Sequence, residues 1–428
     1  MFSEEEEEIE IKLPSIKIPK ITKYELINFF IALALSIAVF VETYTTALYG
    51  VGANTFISDE VYYAGIASKM VAYMFGSQAV TPFIPTSLFP AYWNLEHPPL
   101  AKYIIALSIM AFNNGKPISW RFPSILMSTL MPFISYYAVF IYYKNKYVKK
   151  DPKKKLNATL LAFLTAVVFP LESIIHYEGA LALLDVYASF FVLLTLAFAL
   201  NRKWYLSSFF LGLAIASKET ALPLLIALPL VYWFSEKGVA KKKIGKSIFL
   251  FIFPIIILLI TYIPLAVYFG GINGFKTVIM GQINGLHFDM QTRKVGPTPS
   301  TPLQWFFAQN SQYLSLVMAG NTILKDMKAQ MNPFIEVPVL GWVVSLIVYA
   351  FDLLFSKKSV KGILSILRDP AVVFYVTELL AFYADYMAGN HSLYSMYSII
   401  FVPMSAFIFG ELLYTVLLPI LRGIKIGK

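Results

Sequence analysis

The chain contains no cysteine, which excludes disulfides, thiolate nucleophiles and cysteine-ligated metals. Its four histidines among 428 residues are scattered, and no pair has the close spacing of a zinc site. No metal or cofactor is therefore expected, and dependence on a divalent ion stays open. There is no glycine-rich phosphate loop, no dinucleotide fingerprint and no Ser-His-Asp signature, so a nucleotide-linked substrate is less attractive than one anchored in lipid. No internal period of 20 to 50 residues and no similarity between halves is visible, unlike many repeat proteins and transporters. Charge is also scarce, at 14% of residues.

What fills the space is apolar: 58% of residues are hydrophobic and mean hydropathy is +0.65, the composition of a polytopic membrane protein. The formal charge of +10 does not point to nucleic acid, because Lys and Arg stand in short blocks between apolar runs. Such blocks are the positive-inside signal of cytoplasmic loops, with anionic lipid contact as a secondary effect. The expected fold is all-α, with about ten transmembrane helices and interfacial helices in the first outer loop.

The order of spans follows from those blocks. Residues 1–25, acidic, then basic and proline-broken, read as a cytoplasmic tail and not as a secretory signal; residues 26–428 read as one helical membrane domain. A first span over 26–48 delivers Asp59 and Glu60 into an outer loop at 49–117. The block KNKYVKKDPKKK at 144–155 must lie inside, so 98–112 lies flat on the outer surface and 118–143 crosses inward. Further spans are expected at 156–170, 180–200, 247–269, 335–355, 372–387 and 393–421. Between them, 204–234 forms a pair of short helices with Lys218 and Glu219 at the outer tip, of the kind that line cavities. Residues 270–334 form a second outer loop, irregular over 295–302. Both termini fall inside.

The charged residues of the outer side carry the chemistry. Asp59 and Glu60 follow Ser58 at a helix start, where carboxylates commonly cap; a carboxylate fixed there also suits removal of a proton from an attacking hydroxyl. His97-Pro98-Pro99 can open a helix, with Lys102 behind it either snorkelling or binding an anion. Arg121 can grip a lipid phosphate in a two-point fork or anchor the interface beside Trp120. Asp185, inside ALALLDVYASFF, is a functional candidate or the buried partner of Lys218. Glu178, His287, Tyr62 and His391 are possible acceptor or sugar contacts, with His391, Tyr394 and Tyr397 at helical spacing on the last span.

The ordered set DE, HPPLAK, WRFPS, LLDVYASFFVLLTLAFAL and LGLAIASKETAL resembles the protein O-mannosyltransferases that use dolichyl-phosphate-mannose. These belong to the C superfamily of membrane glycosyltransferases, whose relatives include the lipid A aminoarabinose transferase. The likeness spans residues 55–225. It implies an inverting transferase acting on the extracytoplasmic face, with a polyprenyl-phosphate-linked sugar, a protein or glycan acceptor and the bilayer as partners, and no nucleic acid. Asp59 would be the catalytic acid-base residue, with Glu60 its neighbour in acceptor or sugar contact; Arg121 and the segment His97 to Lys102 would lie near the donor phosphate. The chain departs from the eukaryotic members in having no large β-rich insert and in placing Asn390-His391 where an Arg is expected. The competing reading is a transporter or lipid flippase in which Asp185 and Lys218 form a coupling pair.

Overall fold

The computed structural model describes residues 22–49, 56–76, 92–113, 115–289, 299–319, 322–355, 360–391 and 393–423. The chain opens with α1 (Lys23–Tyr49), then α2 (Glu60–Lys69), which widens into a π turn at Met70–Met74. Next come α3 (Leu100–Phe112) and α4 (Pro117–Tyr143), and then the broken stretch α5 (Lys155–Ala166), α6 (Val168–Leu171) and α7 (Ser173–Gly179). The short helices α8 (Leu184–Leu200), α9 (Trp204–Ser217) and α10 (Leu224–Ser235) precede the long α11 (Ala240–Tyr268). The stretch between α11 and α14 holds α12 (Ile272–Asp289), α13 (Pro302–Phe306) and the strands β1 (Gln312–Ala319) and β2 (Thr322–Ala329). Helices α14 (Pro333–Phe355), α15 (Val360–Ile366), α16 (Pro370–Met387) and α17 (Val402–Gly423) complete the chain.

Local chemistry sets the boundaries. Proline occupies the first position of α4, α13 and α16, where its missing N–H costs nothing. Asp369 caps α16 by accepting from the backbone N–H groups of Ala371 and Val372, and Thr301 with Gln304 forms a capping box on α13. Asn113, in the left-handed region at φ 47°, stops α3.

Six described helical stretches are long and apolar enough to cross a bilayer: Lys23–Leu48, Pro117–Val148, Pro152–Leu171, Ala240–Tyr268, Pro333–Phe355 and Ser395–Leu417. The outer faces of α11 and α14 leave Ile252, Ile256, Ile260, Val348 and Phe351 exposed, which a bilayer tolerates and water does not. The molecule is a multi-pass membrane protein. Of the roughly ten crossings expected, those that fall on α9 and α10 are too short by themselves: fourteen residues rise only about 21 Å. Helix α8, nearly all buried, forms the middle of the bundle against α4, α9 and α17.

The second outer segment differs from expectation in two ways. Residues 272–289 form one continuous helix, and β1 pairs antiparallel with β2, from Gln312 opposite Ala329 to Ala319 opposite Thr322. The all-α expectation does not hold there. Two eight-residue runs flanking Gly320-Asn321 are a hairpin signal, outweighed in the sequence by the helical bulk around it. Ser395 fastens the open end: its hydroxyl accepts from Gln312 N (2.7 Å) and donates to Ala329 O (2.6 Å).

Candidate active site

Ser58 enters α2 with φ 52°, a left-handed conformation that costs a non-glycine residue energy and recurs at functional sites. That turn sets Asp59 at the capping position of α2. Its backbone carbonyl accepts from Tyr62 and Tyr63 N–H, yet its carboxylate makes no capping bond. The bland role expected of an acid at a helix start is therefore unfilled.

Glu60 does the anchoring instead. Its two oxygens accept from Arg121 Nε (2.8 Å) and Nη2 (2.6 Å), Ala182 N (2.9 Å) and Ile57 N (2.9 Å). Arg121 Nη1 also reaches the carbonyl of Ala47 (3.2 Å). Both side chains are at most 1% exposed. This fork ties the ends of α1, α2, α4 and the loop before α8 to one point, as a bidentate pair can. The expected phosphate contact of Arg121 is corrected by this geometry, because its fork is already filled by a carboxylate. Glu60, with both oxygens occupied, has the same supporting role.

Lys102 is corrected for a similar reason. Fully buried, its ammonium donates to the carbonyls of Asn94 and His97 and to Asn94 Oδ1, so its three N–H groups are spent on shaping the turn before α3. That turn presents His97, whose Nδ1 lies 2.9 Å from Glu219 Oε1 and whose ring meets Tyr63 edge to face at 5.8 Å. Helix α12 closes over it: a Cβ on Gly281 would stand 2.4 Å from Leu95 Cβ, and one on Gly285 would stand 2.5 Å from Glu96 Cβ.

The third group is the pair expected from the sequence. Lys218 Nζ donates to Asp185 Oδ2 at 2.6 Å, with both side chains 1% exposed, and lies over the Tyr397 ring at 4.5 Å. Asp185 is in the first turn of α8 and Lys218 directly follows α9, so the pair joins helix ends. Glu178 is buried near both, and neither of its oxygens has a hydrogen-bond partner. Burial, then the neighbouring Asp185 charge, holds the Glu178 carboxyl well above the usual range.

These groups meet around Asp59. Burial raises its carboxyl above the ordinary value, while the charges of Lys218 and His97 pull it back. Tyr63 feels Asp59, Asp185, Glu219 and Tyr397 together. The structure thus gathers Asp59, His97, Asp185, Lys218 and Glu178 and places Glu60, Arg121 and Lys102 just behind them. Tyr62 is 36% exposed and packs against Tyr92 at 5.9 Å. His287 is exposed on α12. His391 is exposed and meets Tyr386 edge to face at 4.8 Å. The helical face expected for His391, Tyr394 and Tyr397 does not form, because Tyr394 is extended and only Tyr397 lies in the 3-10 turn at Ser395–Phe401. Arg293 and Lys294, which with His287 could contact a phosphate or sugar, lie outside the described residues.

Two acids were passed over as site residues. Glu219 and Glu378 line one cavity of about 210 Å³ beside Tyr397. The signal for Glu378 was available, a lone acid in the apolar run VVFYVTELLAFY. Among the described residues no three His, Asp or Glu side chains are grouped to hold a metal ion.

Residues 96–268 match the model of the family described as dolichyl-phosphate-mannose-protein mannosyltransferase, and so the motif resemblance is borne out from HPPLAK to LGLAIASKETAL; Asp59 and Glu60 precede the matched residues. The oligosaccharyltransferase of Archaeoglobus fulgidus superposes with a TM-score of 0.51 at 11% identity, over 94% of this chain and 52% of that one. The two chains share a fold. ArnT from Cupriavidus metallidurans bound to undecaprenyl phosphate gives 0.46 at 13% identity, over 89% of this chain and 59% of that one. The Pmt1-Pmt2 complex of S. cerevisiae bound to the sugar donor gives 0.38 at 18%, over 62% and 35%. The chain spans between about a third and three fifths of the length of these structures. No curated protein sequence matches it.

Proposed function

We propose that this protein transfers a hexose, mannose by the family it resembles, from a polyprenyl phosphate to a hydroxyl of a protein or glycan on the extracytoplasmic side. The observation that carries the reading is the Asp59 carboxylate, held at a helix start without a capping bond and within the fields of Lys218 and His97. Asp59 takes the proton of the acceptor hydroxyl as its oxygen bonds to the anomeric carbon. The bond from that carbon to the phosphate oxygen breaks on the opposite face, and the polyprenyl phosphate leaves with the electron pair. The configuration inverts in this single displacement. Lys218, fixed on Asp185, is the cation whose field reaches this point, and Glu60 with Arg121 keeps the start of α2 in place.

Purified protein in lipid nanodiscs, given labelled polyprenyl-phosphate-mannose and candidate acceptors, should release polyprenyl phosphate with labelled product. Asp59→Asn should abolish the reaction with thermal unfolding unchanged. The active form is the carboxylate, so the rate of the unaltered enzyme should fall as pH drops through a value above the usual aspartate range. Full activity in the variant would remove the assigned base. Movement of donor across the bilayer without covalent change would favour the transporter reading.

A further inference from the structure

A cavity at the opposite end of the bundle from Asp59 carries charges of both signs around an apolar interior. It measures about 430 Å³ and lies between the ends of α4, α8 and α10, the start of α9, the link from α15 to α16, and the middle of α5 and α17. The seventeen residues of α8 rise roughly 25 Å, with Asp185 at one end and Ala199 and Leu200, which line this space, at the other. No residue gathered around Asp59 lines it. Val139 stands about two turns before Lys146, and Phe407 about one turn before Glu411. Val139 and Phe407 are buried, whereas Lys146, Arg202, Arg368 and Glu411 are exposed. The ionic groups therefore ring the mouth and the apolar ones lie deeper.

Each charge at the mouth has a different degree of freedom. Arg368 donates through Nε to the carbonyl of Phe234 at 2.7 Å, and its terminal nitrogens make no hydrogen bond among the described residues. Arg202, left-handed at φ 57°, stands 3.9 Å from Glu236, an acid that already accepts from Trp204 Nε1 at 2.9 Å. Lys146 donates to the Tyr142 hydroxyl at 2.5 Å, and its charge reaches Asp369 and Glu411. Asp369 is occupied in capping α16. The Glu411 carboxylate makes no hydrogen bond among the described residues. Two guanidiniums with open donors suit a phosphate, which Arg can grip at two points. An open carboxylate at the same mouth suits an amine. A head bearing only negative charge would meet Glu411 and Asp369 as like charges. Inorganic phosphate would leave the apolar wall uncovered, whereas a lipid head with its glycerol end covers it. Basic pockets between membrane helices take such headgroups, and the volume falls within the ~300–1,000 Å³ of small-molecule sites.

We infer that this cavity holds the headgroup of a zwitterionic aminophospholipid, with its phosphate on Arg202 and Arg368 and its ammonium on Glu411. The site is separate from the transfer reaction and does not depend on the donor reading above. A lipid that binds only the folded bundle also stabilises it by mass action.

The test uses the full chain, stripped of lipid in detergent, with phosphatidylethanolamine, phosphatidylglycerol or soluble glycerophosphoethanolamine added in turn. Bound copies are counted by native mass spectrometry. Phosphatidylethanolamine should bind at least about tenfold more tightly than either of the others and raise the unfolding temperature. Arg202→Gln should weaken both lipids by about tenfold, the loss expected for one hydrogen bond to a charged group. Arg202 is 63% exposed, so this variant should fold even where Arg368→Gln, which also frees the end of α10, does not. Glu411→Gln should bring phosphatidylethanolamine down to the level of phosphatidylglycerol and leave phosphatidylglycerol no weaker. Equal binding of the two lipids to the unaltered protein overturns the zwitterionic class. Unchanged affinities in folded Arg202→Gln overturn the site, and tight binding of glycerophosphoethanolamine overturns the lipid as its occupant.

Discussion

Arg121 and Asp59 show how far a residue's type can foretell its task. A guanidinium near a membrane surface reads as a phosphate ligand, because the residue that fills its fork lies sixty-one positions away and pairing over that distance is not written in any local pattern. Its neighbour Asp59 was legible for the opposite reason: the feature that matters is its place at the start of α2, which Ser58 and the following apolar run announce. If Arg121 is structural, Arg121→Lys should lower the unfolding temperature and leave the donor KM unchanged. Lys replaces a two-point fork with a point charge, and breaking a buried pair outright costs about 3–5 kcal/mol, so the substitution should lose part of that amount. A raised donor KM with unchanged stability would return Arg121 to the phosphate.

The short helices are the elements that place the chemistry. Helices α8, α9 and α10 end near one another, and their ends carry Asp185, Lys218 and Glu219. That arrangement was readable, since acids and lysines interrupting apolar runs mark the ends of spans. Helix α12 was not readable as a functional element: residues 272–289 look like a polar outer loop until the helix is seen lying on residues 95 and 96. Gly281→Ala and Gly285→Ala, combined, should push α12 off the segment that presents His97. Overpacking of this kind costs about 1–3 kcal/mol. Activity should fall more than the thermal midpoint does, whereas Gly245→Ala on α11, with nothing within 4 Å of its Cβ, should change neither. Equal losses of stability and activity in the double variant would mean that α12 contributes only packing.

At the scale of the molecule, the proposed sidedness rests on the distribution of charge. The blocks at 144–155 and 235–246 end or begin helices on the side away from Asp59, and this was the most legible property of the chain because it depends on composition alone. The hairpin was the least legible, since its register rests on Ser395, some eighty positions from β1. The cysteine-free chain offers a direct measurement of sidedness. Lys150→Cys should react with an impermeant thiol reagent only in inside-out vesicles, and Gln309→Cys only in right-side-out ones. Labelling of both from the same side would invert the proposed topology.

The joint between Glu60 and Arg121 also bears on how the protein is made. Synthesis brings the acid out of the ribosome sixty-one residues before the base, and a lone buried carboxylate is disfavoured by several kcal/mol. The amino-terminal part must therefore wait, hydrated at the membrane surface, until α4 arrives. Nascent chains halted before residue 121 should leave Glu60 open to water, so the joint is closed by the arrival of the fourth helix and not by the folding of the first two.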